Sequence, residues 1–226
     1  MASVSHEMRT PLTAIQGQID VLLKRPQTDS EVRESLERTS REVRRLVRMT
    51  NNLLLNVQLD SKPVLVLQEV NLKDLLEEIM REKYVLAEGP DLSLMASEDV
   101  MVSGDYDLLK QMVLNVVDNA IKFTPKGGRI KINLGQEEGW TVIEVSDSGE
   151  GISREHLPHV LEPFYRADTP RRFVGGAGLG LAIVNQVIEL HGGKVHIESQ
   201  EGIGTKVKMY LQVQPLHNWE GSHPAK

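Results

Sequence analysis

The stretch "DYDLLKQMVLNVVDNAIKF", residues 105–123, shows a strong amphipathic pattern. At about 100° per residue, four of its apolar side chains fall on one face of a helix. This periodicity predicts a helix over the whole stretch, with that face turned towards a protein core. The four residues are Leu109, Val113, Val116 and Ala120.

The other side of this predicted helix is polar in an unusual way. Asn115, Asn119 and Lys122 follow one another at i, i+4 and i+7. A solvated face is the simplest interpretation, but asparagine has low helix propensity and is a poor choice for one. Amide oxygens can bind Mg²⁺, and a lysine beside them can neutralise phosphate. The stripe therefore also suits a metal–phosphate site.

Strand and helix signals surround this helix on both sides. Towards the C-terminus, the pattern predicts a strand hairpin over 128–147, a glycine-terminated helix over 178–193, and a second hairpin over 194–213. Paired strands with helices between them predict an α/β sandwich with a mixed sheet. The remaining predicted segments are a strand over 63–70, an asparagine-capped helix over 71–87, and short strands near 92–96 and 100–103.

The N-terminal part is helical. Apolar residues over 4–22 recur at steps of three and four, and Thr28, Asp29 and Ser30 each offer an N-cap for a second helix. Residues 32–57 carry an apolar seam with heptad spacing. These features predict an antiparallel helical hairpin. Pairing two such hairpins into a dimeric four-helix bundle would bury the seam.

Composition limits the classes of function. The chain has 226 residues, a net charge of −6 and no cysteine. The net charge argues against a general nucleic-acid or anionic-membrane binder, and the lack of cysteine excludes disulfides, a thiolate nucleophile and zinc–thiolate sites. No apolar run approaches the roughly 18 residues that a membrane span needs, and no signal peptide is visible. A reducing cytosol fits this composition.

Four glycine-containing segments have both a structural and a functional interpretation. "DSGEGI", residues 147–152, is either a turn or a place where a planar ring approaches the backbone beside a carboxylate. "GGAGLGLAI", residues 175–183, is either a hinge or a phosphate-binding helix start. The preceding residues 165–176 resemble a lid or a surface loop. "GIGT", residues 202–205, fits a tight hairpin turn or a ligand contact.

"SHEMRTPL", residues 5–12, raises the question of a reactive histidine. His6 lies about 160° from the apolar arc of the first helix, so it faces solvent on the same side as Thr10. An inert surface histidine has the same geometry. A neutral imidazole can act as a nucleophile, and Glu7 can hold the proton on its other nitrogen. Pro11 removes one helix hydrogen bond, which predicts a flexible point one turn after His6.

These pieces, in this order, resemble the core of a bacterial-type sensor histidine kinase. "SHEMRTPL" resembles the phosphoacceptor box, "NVVDNAIKFTP" the N box, "DSGEGI" the first glycine box, "EPFYRAD" the F box, "GGAGLGLAI" the second and "GIGT" the last. The match covers about residues 4–213. The resemblance implies a dimerisation and phosphotransfer hairpin over 1–62 and an ATP-binding domain of the gyrase-type fold over 63–215. Residues 216–226 are polar and have no period, which predicts a disordered tail.

The resemblance also implies roles for particular residues. Asn115 would bind Mg²⁺, Asp147 would read the adenine amino group, and Phe123 stands where the family often has tyrosine. Catalytic roles would fall to His6 as phosphoacceptor, Glu7, Thr10 and Arg166. The implied nucleotide contacts are Asn115, Asn119, Lys122, Phe123, Asp147, Gly149, Gly151, Ile152, Gly176, Gly178, Leu179, Gly180 and Thr205.

The implied activity is ATP- and Mg²⁺-dependent autophosphorylation of histidine, followed by transfer to an aspartate of a response regulator, with phosphatase activity also plausible through Thr10. The expected partners are a second copy of the chain and a receiver domain, with no nucleic acid and no membrane contact, in the cytoplasm. The family's first helix starts well upstream of its histidine, so we expect part of the dimer interface to precede residue 1. A gyrase-type ATP hydrolase and a non-enzymatic nucleotide-binding dimer are the alternatives.

Overall fold

The computed structural model describes residues 2–24, 28–61, 63–84, 89–96, 98–166 and 178–212. Two compact units are present. The first unit is built on residues up to 63 and on residues 158–183, and the second unit on residues 64–157 and the residues from 184 onward. Residues 167–176 of the predicted lid and the tail beyond 215 lie outside the described residues.

The first unit contains a helical hairpin, as predicted. Helix α1 spans Ala2–Lys24 and helix α2 spans Asp29–Asp60. Of the three predicted caps, Thr28 is the one used: its hydroxyl accepts the Glu31 N–H at 3.3 Å, and the Glu31 carboxylate accepts the Thr28 N–H at 2.9 Å. This reciprocal capping box explains why α2 begins where it does. The Thr39 hydroxyl donates to Gln18 at 2.8 Å and links the two helices.

The predicted seam of α2 is open to solvent along much of its length. Leu36, Val43 and Val57 are 57%, 44% and 69% exposed in the single chain. Helix α1 continues through Pro11, which is buried. Because proline has no N–H, the helix lacks one hydrogen bond at this point. The flexible point that the sequence suggests there stays a prediction.

The second unit is built on a mixed five-stranded sheet with the order β2-β4-β5-β7-β6. Strand β2 runs parallel to β4, and the other neighbours are antiparallel. This confirms the predicted mixed sheet. A separate antiparallel pair joins β1 and β3. The strands are β1 Gln68–Asn71, β2 Asp91–Met95, β3 Met101–Gly104, β4 Arg129–Glu137, β5 Trp140–Asp147, β6 Lys194–Gln200 and β7 Gly204–Gln212.

Three further helices accompany these strands. Helix α3 spans Leu72–Tyr84, α4 spans Tyr106–Phe123 and α5 spans Gly180–Leu190, and a 3₁₀ turn covers Leu157–His159. The carboxylate of Asp105 caps α4 by accepting the Leu108 N–H at 3.2 Å. All four apolar residues that the sequence assigned to the inner face of α4 are buried.

One predicted strand is wrong in extent. The sequence suggested a strand over 63–70, but the ladder begins only at Gln68, which pairs with Gly104. Strand β3 ends at Gly104 because the next residue, Asp105, caps α4, so no partner strand remains for residues 63–67. Within that segment, the Val66 N–H donates instead to the Asp105 carboxylate at 3.1 Å.

Two clamps hold α4 in place. On one side, the Lys110 ammonium donates to Glu78 and Glu82 of α3, at 2.7 Å each. On the other, the ring of His191 joins the end of α5 to the start of α4, because its Nε2 accepts the Asp105 N–H at 3.0 Å. That bond requires the proton on Nδ1, which donates to the Val187 carbonyl at 2.8 Å. His191 therefore acts as a neutral clasp.

Replacing His191 by phenylalanine should lower the free energy of unfolding of the second unit by about 1–3 kcal/mol, because the Asp105 N–H loses its acceptor. Urea unfolding monitored by tryptophan fluorescence measures this, since Trp140 lies in β5. His196→Phe, the same change at an exposed position of β6, is the control. Equal unfolding midpoints for the two variants would contradict the clasp.

Candidate functional site

The polar side of α4 holds a buried amide with an unfilled hydrogen bond. Asn115 is only 7% exposed, so a solvated face does not describe it. Its Oδ1 lies 3.4 Å from the Gln111 side-chain nitrogen, and among the described residues its buried Nδ2 has no partner. A buried polar group without a partner costs about 1–3 kcal/mol, so such a group usually faces a ligand or water. Rotation of the Asn115 amide by 180°, together with the same rotation of the Gln111 amide so that its oxygen accepts the Asn115 N–H, brings the Asn115 oxygen to the unpartnered position.

Asn119 and Lys122 continue the stripe along the same helix. Both are half-buried, and the Lys122 ammonium lies 4.4 Å from the centroid of the Phe123 ring. The Lys122 ammonium therefore lies close to the C-terminal end of α4. The helix holds the three stripe residues at the spacing that the sequence predicted.

Asp147 ends strand β5 and is the second anchor of the site. Its Oδ1 accepts the Gly149 N–H at 2.8 Å and the Thr205 N–H at 3.3 Å. Within the described part of the chain, no hydrogen bond reaches its Oδ2. Burial raises the pKa of the Asp147 carboxyl, and the two backbone bonds oppose that rise only in part. The result is a half-buried carboxylate with one oxygen held and one oxygen available.

Gly149 and Gly151 allow the loop after β5 to pack against two other parts of the chain. A Cβ on Gly149 would lie 2.5 Å from the Phe123 carbonyl oxygen at the end of α4. Gly151 has φ +68°, and a Cβ there would overlap the Gln200 carbonyl. The sequence allowed either a turn or the approach of a planar ring at these glycines. The structure adds a backbone-to-backbone contact that already excludes a side chain at both positions.

Thr205 and Ile152 are joined by a residue that the sequence analysis missed. Ser199, near the end of β6, has its hydroxyl 2.9 Å from the Thr205 hydroxyl and accepts the Ile152 N–H at 2.8 Å. The hairpin β6–β7 pairs Ser199 with Thr205. The predicted hairpin over 194–213 could have indicated Ser199. Counting residues outward from its glycine-containing turn places Ser199 opposite Thr205.

The remaining predicted site residues lie in the first unit. Arg166 is exposed, Leu179 is buried and Gly180 begins α5. Gly178 has φ +67°, and a Cβ there would lie 2.6 Å from the Tyr165 carbonyl oxygen, which explains the glycine. Gly176 lies outside the described residues.

The predicted phosphoacceptor region lies on α1. His6 and Thr10 are one helical turn apart on this continuous helix, and Thr10 is exposed. The side chains of His6 and Glu7 lie outside the described part of the structure. The solvent-facing position of His6 and the role of Glu7 beside it therefore stay predictions.

The described residues contain neither a preformed cluster of metal-binding side chains nor a helix that could span a membrane. No group of three or more His, Asp or Glu side chains is arranged to hold a metal ion. A Mg²⁺ ion bound at Asn115 would thus take further ligands from a phosphate group and water, which is common for Mg²⁺. None of the described helices has both the length and the apolar character that crossing a membrane requires.

Asp147→Asn should stabilise the ligand-free second unit at pH 7. The pKa of the Asp147 carboxyl is higher in the folded state than in the unfolded state, so the folded state is favoured when this group is protonated. That contribution to stability is lost as the pH rises from the unfolded-state pKa through the folded-state pKa. Asparagine removes that loss and still accepts the two N–H groups. The gain should be at most about 1 kcal/mol, because a half-exposed carboxylate stays partly solvated.

Urea unfolding at pH 7 and pH 3 measures this effect, and the gain should shrink at pH 3. Asp91→Asn, at an exposed carboxylate, is the control. A lower midpoint for Asp147→Asn than for the unaltered chain at pH 7 would refute the desolvation argument.

Two protein-family models match this chain. The model of the His Kinase A (phospho-acceptor) domain matches residues 1–62. The model of the histidine kinase-, DNA gyrase B-, and HSP90-like ATPase matches residues 104–215. Together they cover more than three quarters of the chain.

Individual relatives agree. Drug sensory protein A of Synechocystis sp. is 36% identical over 91% of this chain and 33% of its own length. The chain spans about a third of the length of the curated relatives it matches. The structure of histidine kinase ThkA in complex with response regulator protein TrrA matches this chain with a TM-score of 0.73 and 28% sequence identity. The match covers 94% of this chain and 60% of the ThkA chain.

Full-length ShkA in complex with AMPPNP has a TM-score of 0.68 and 26% identity, over 93% of this chain and 44% of that one. The two family models match in the order hairpin, then ATPase, which is also the order of the two kinds of motif along the chain. The chain therefore belongs to the sensor histidine kinases, of which it comprises the catalytic core.

Proposed function

We propose that this chain uses ATP to phosphorylate its own His6 and then passes the phosphoryl group to an aspartate of a response regulator. What carries the proposal is that one chain has both halves of the chemistry. A helix bears a histidine within a phospho-acceptor domain match, and the second unit bears a carboxylate and a buried amide with unfilled hydrogen bonds. The proposed domains are 1–62 for phosphotransfer and 63–215 for ATP binding.

The carboxylate of Asp147 provides the base recognition. Its Oδ1 is occupied by two backbone N–H groups, so Oδ2 is the oxygen that accepts a hydrogen bond from the exocyclic amine of adenine. A carbonyl at the same position of the base, as in guanine, would meet this carboxylate as a second acceptor and be disfavoured. The neutral form of Asp147 would weaken this recognition.

The polar stripe of α4 provides the phosphate side. The buried amide of Asn115 fits a Mg²⁺ ligand, because carboxamide oxygens are among the ligands Mg²⁺ prefers and this amide has an unfilled position. A Mg²⁺ ion held there would supply positive charge that neutralises the phosphates. We assign Lys122 and Asn119 to the phosphates. By the family resemblance we assign the backbone N–H groups at Gly178 and Gly180, where α5 begins, to the phosphates as well.

The phosphoryl transfer uses groups of α1. A neutral His6 nitrogen attacks the γ-phosphorus, the bond to the bridging oxygen breaks, and ADP leaves with the bonding electrons. Glu7 holds the proton on the other ring nitrogen and stabilises the developing cation. We assign Arg166 to the charge of the γ-phosphate. An aspartate oxygen of the regulator then attacks the same phosphorus, and the N–P bond breaks. Thr10 would position water for hydrolysis of the resulting acyl phosphate.

Two partners follow from this proposal. A second copy of the chain would cover the seam residues Leu36, Val43 and Val57, which are exposed in the single chain. A receiver domain is the second, because the similar ThkA was solved in complex with a response regulator. Because ATP is required, we place this core in the cytoplasm.

His6→Gln should abolish labelling of the chain by γ-phosphate-labelled ATP and leave the affinity for ATP unchanged, because only the nucleophile is removed. The label should be acid-labile and alkali-stable, as a phosphohistidine is. His196→Gln is the matched control and should label normally. Retained labelling of His6→Gln would exclude His6 as the sole acceptor, and continuous phosphate release without any labelling would favour a gyrase-type hydrolase.

Asn115→Ala should weaken ATP binding in Mg²⁺ by at least about tenfold, the equivalent of one lost charge-assisted contact. In EDTA the same variant should bind ATP nearly as the unaltered chain does, because the metal is then absent from both. Isothermal titration calorimetry measures both conditions. Asn185→Ala, an asparagine of α5 bonded to Glu189 at 2.8 Å, is the control. Unchanged affinity in Mg²⁺ would remove the metal role.

A further inference from the structure

Three residues form a row across the end of the sheet. Asp147 of β5 pairs with Thr205 of β7, and Thr205 pairs with Ser199 of β6. Paired residues project to the same face of a sheet, so the three side chains are neighbours. Thr205 thus separates Ser199 from the carboxylate that is assigned to base recognition. No group of Ser199 itself is assigned to the nucleotide.

The hydroxyl of Ser199 is fully engaged. It accepts the Ile152 N–H at 2.8 Å, donates to the Gly204 carbonyl at 2.9 Å and lies 2.9 Å from the Thr205 hydroxyl. A serine hydroxyl has one proton and two lone pairs. Because its proton goes to Gly204 and one lone pair to Ile152, the bond with Thr205 uses the second lone pair. The proton of the Thr205 hydroxyl therefore points at Ser199.

Both hydrogen-bond donors of Thr205 are therefore engaged within the protein. Its hydroxyl proton is committed to Ser199, so the lone pairs of its oxygen are what it can offer to any other group. Its backbone N–H is committed to Asp147 Oδ1. Thr205 and Asp147 Oδ2 thus both present acceptors, which is the pattern that binds a donor such as an exocyclic amine.

The surrounding backbone makes this arrangement rigid. The Gly202 N–H donates to the Glu150 carbonyl at 2.7 Å, which ties the β6–β7 turn to the loop after β5. At Gly204, with φ +144°, a Cβ would overlap the Asp147 carbonyl. The Ser199 hydroxyl adds a side-chain link between the same two parts of the chain, because it contacts both the loop, at Ile152, and the strand, at Thr205.

We propose that Ser199 is a positioning residue for base recognition: its hydroxyl orients the Thr205 hydroxyl as an acceptor and holds the loop at Ile152 beside Asp147. The proposal rests on the proposed ATP site and assigns to it a specificity device. Without the hydroxyl, the Thr205 proton is free to turn towards the base, and the Ile152 N–H loses its acceptor.

The test compares ATP with the analogue that carries purine in place of adenine and so lacks the exocyclic amine. In the unaltered chain, ATP should bind more tightly in Mg²⁺ by calorimetry. Ser199→Ala should weaken ATP by about tenfold and the analogue little, since only the amine-dependent contact is lost. Ser146→Ala, one residue before Asp147 and on the opposite face of β5, should change neither affinity.

Each outcome decides a different point. Failure of the unaltered chain to bind ATP would overturn the proposed function itself. Normal binding with Ser199→Ala unchanged, or with ATP and the analogue weakened by the same factor, would overturn the positioning role alone. Should Ser199→Ala not fold, Ser199→Thr and Ser199→Val give an isosteric pair. Only Ser199→Thr should keep the preference for ATP over the analogue. An equal preference for ATP in both variants would also overturn the positioning role of Ser199.

Discussion

Burial of the apolar face of α4 is the constraint on which the second unit depends. Leu109, Met112 and Val113 are fully buried, and each such side chain contributes about 1.5–3 kcal/mol when it leaves water. Once this face is buried, the rotation of the helix about its axis is determined. The polar residues of the same helix, among them Asn115 and Lys122, then have a defined direction. The position of the candidate site is thus a consequence of hydrophobic packing.

The groups attached to α4 carry that constraint to the rest of the site. Lys110 binds α3, His191 holds the N-terminal end, and the Phe123 carbonyl at the C-terminal end accepts the Glu150 N–H at 3.2 Å. The last contact brings the loop after β5, with Asp147, to the end of the helix. The site also carries costs: the Asn115 amide nitrogen is buried without a partner among the described residues, and the Asp147 carboxylate is desolvated. Such local costs are common at functional sites, where a ligand supplies the missing partners.

The sequence predicted the elements well where a single period ran through them. The helix over 105–123, the two strand hairpins and the capping region at Thr28 all agree with the structure within a few residues. The strand prediction for residues 63–67 was wrong although their alternating apolar pattern is that of a strand. A strand also needs a partner, and β3 ends where α4 begins. Periodicity describes which face a residue takes and contains no information about which backbone is available to pair.

The site shows the same division. The sequence by itself determined which chemical groups are present, the helical spacing of Asn115, Asn119 and Lys122, and the order of motifs that identifies the family. Tertiary structure decided that Asn115 is buried and that, among the described residues, its amide nitrogen and Asp147 Oδ2 have no partner. It also decided that Gly149 and Gly151 are required by backbone contacts. It also brought Ser199 to Thr205 and Ile152. Spacing along a helix is local, so sequence determines it, whereas burial and hydrogen-bond partners depend on residues that are distant in the chain and meet only when the sheet and helices pack.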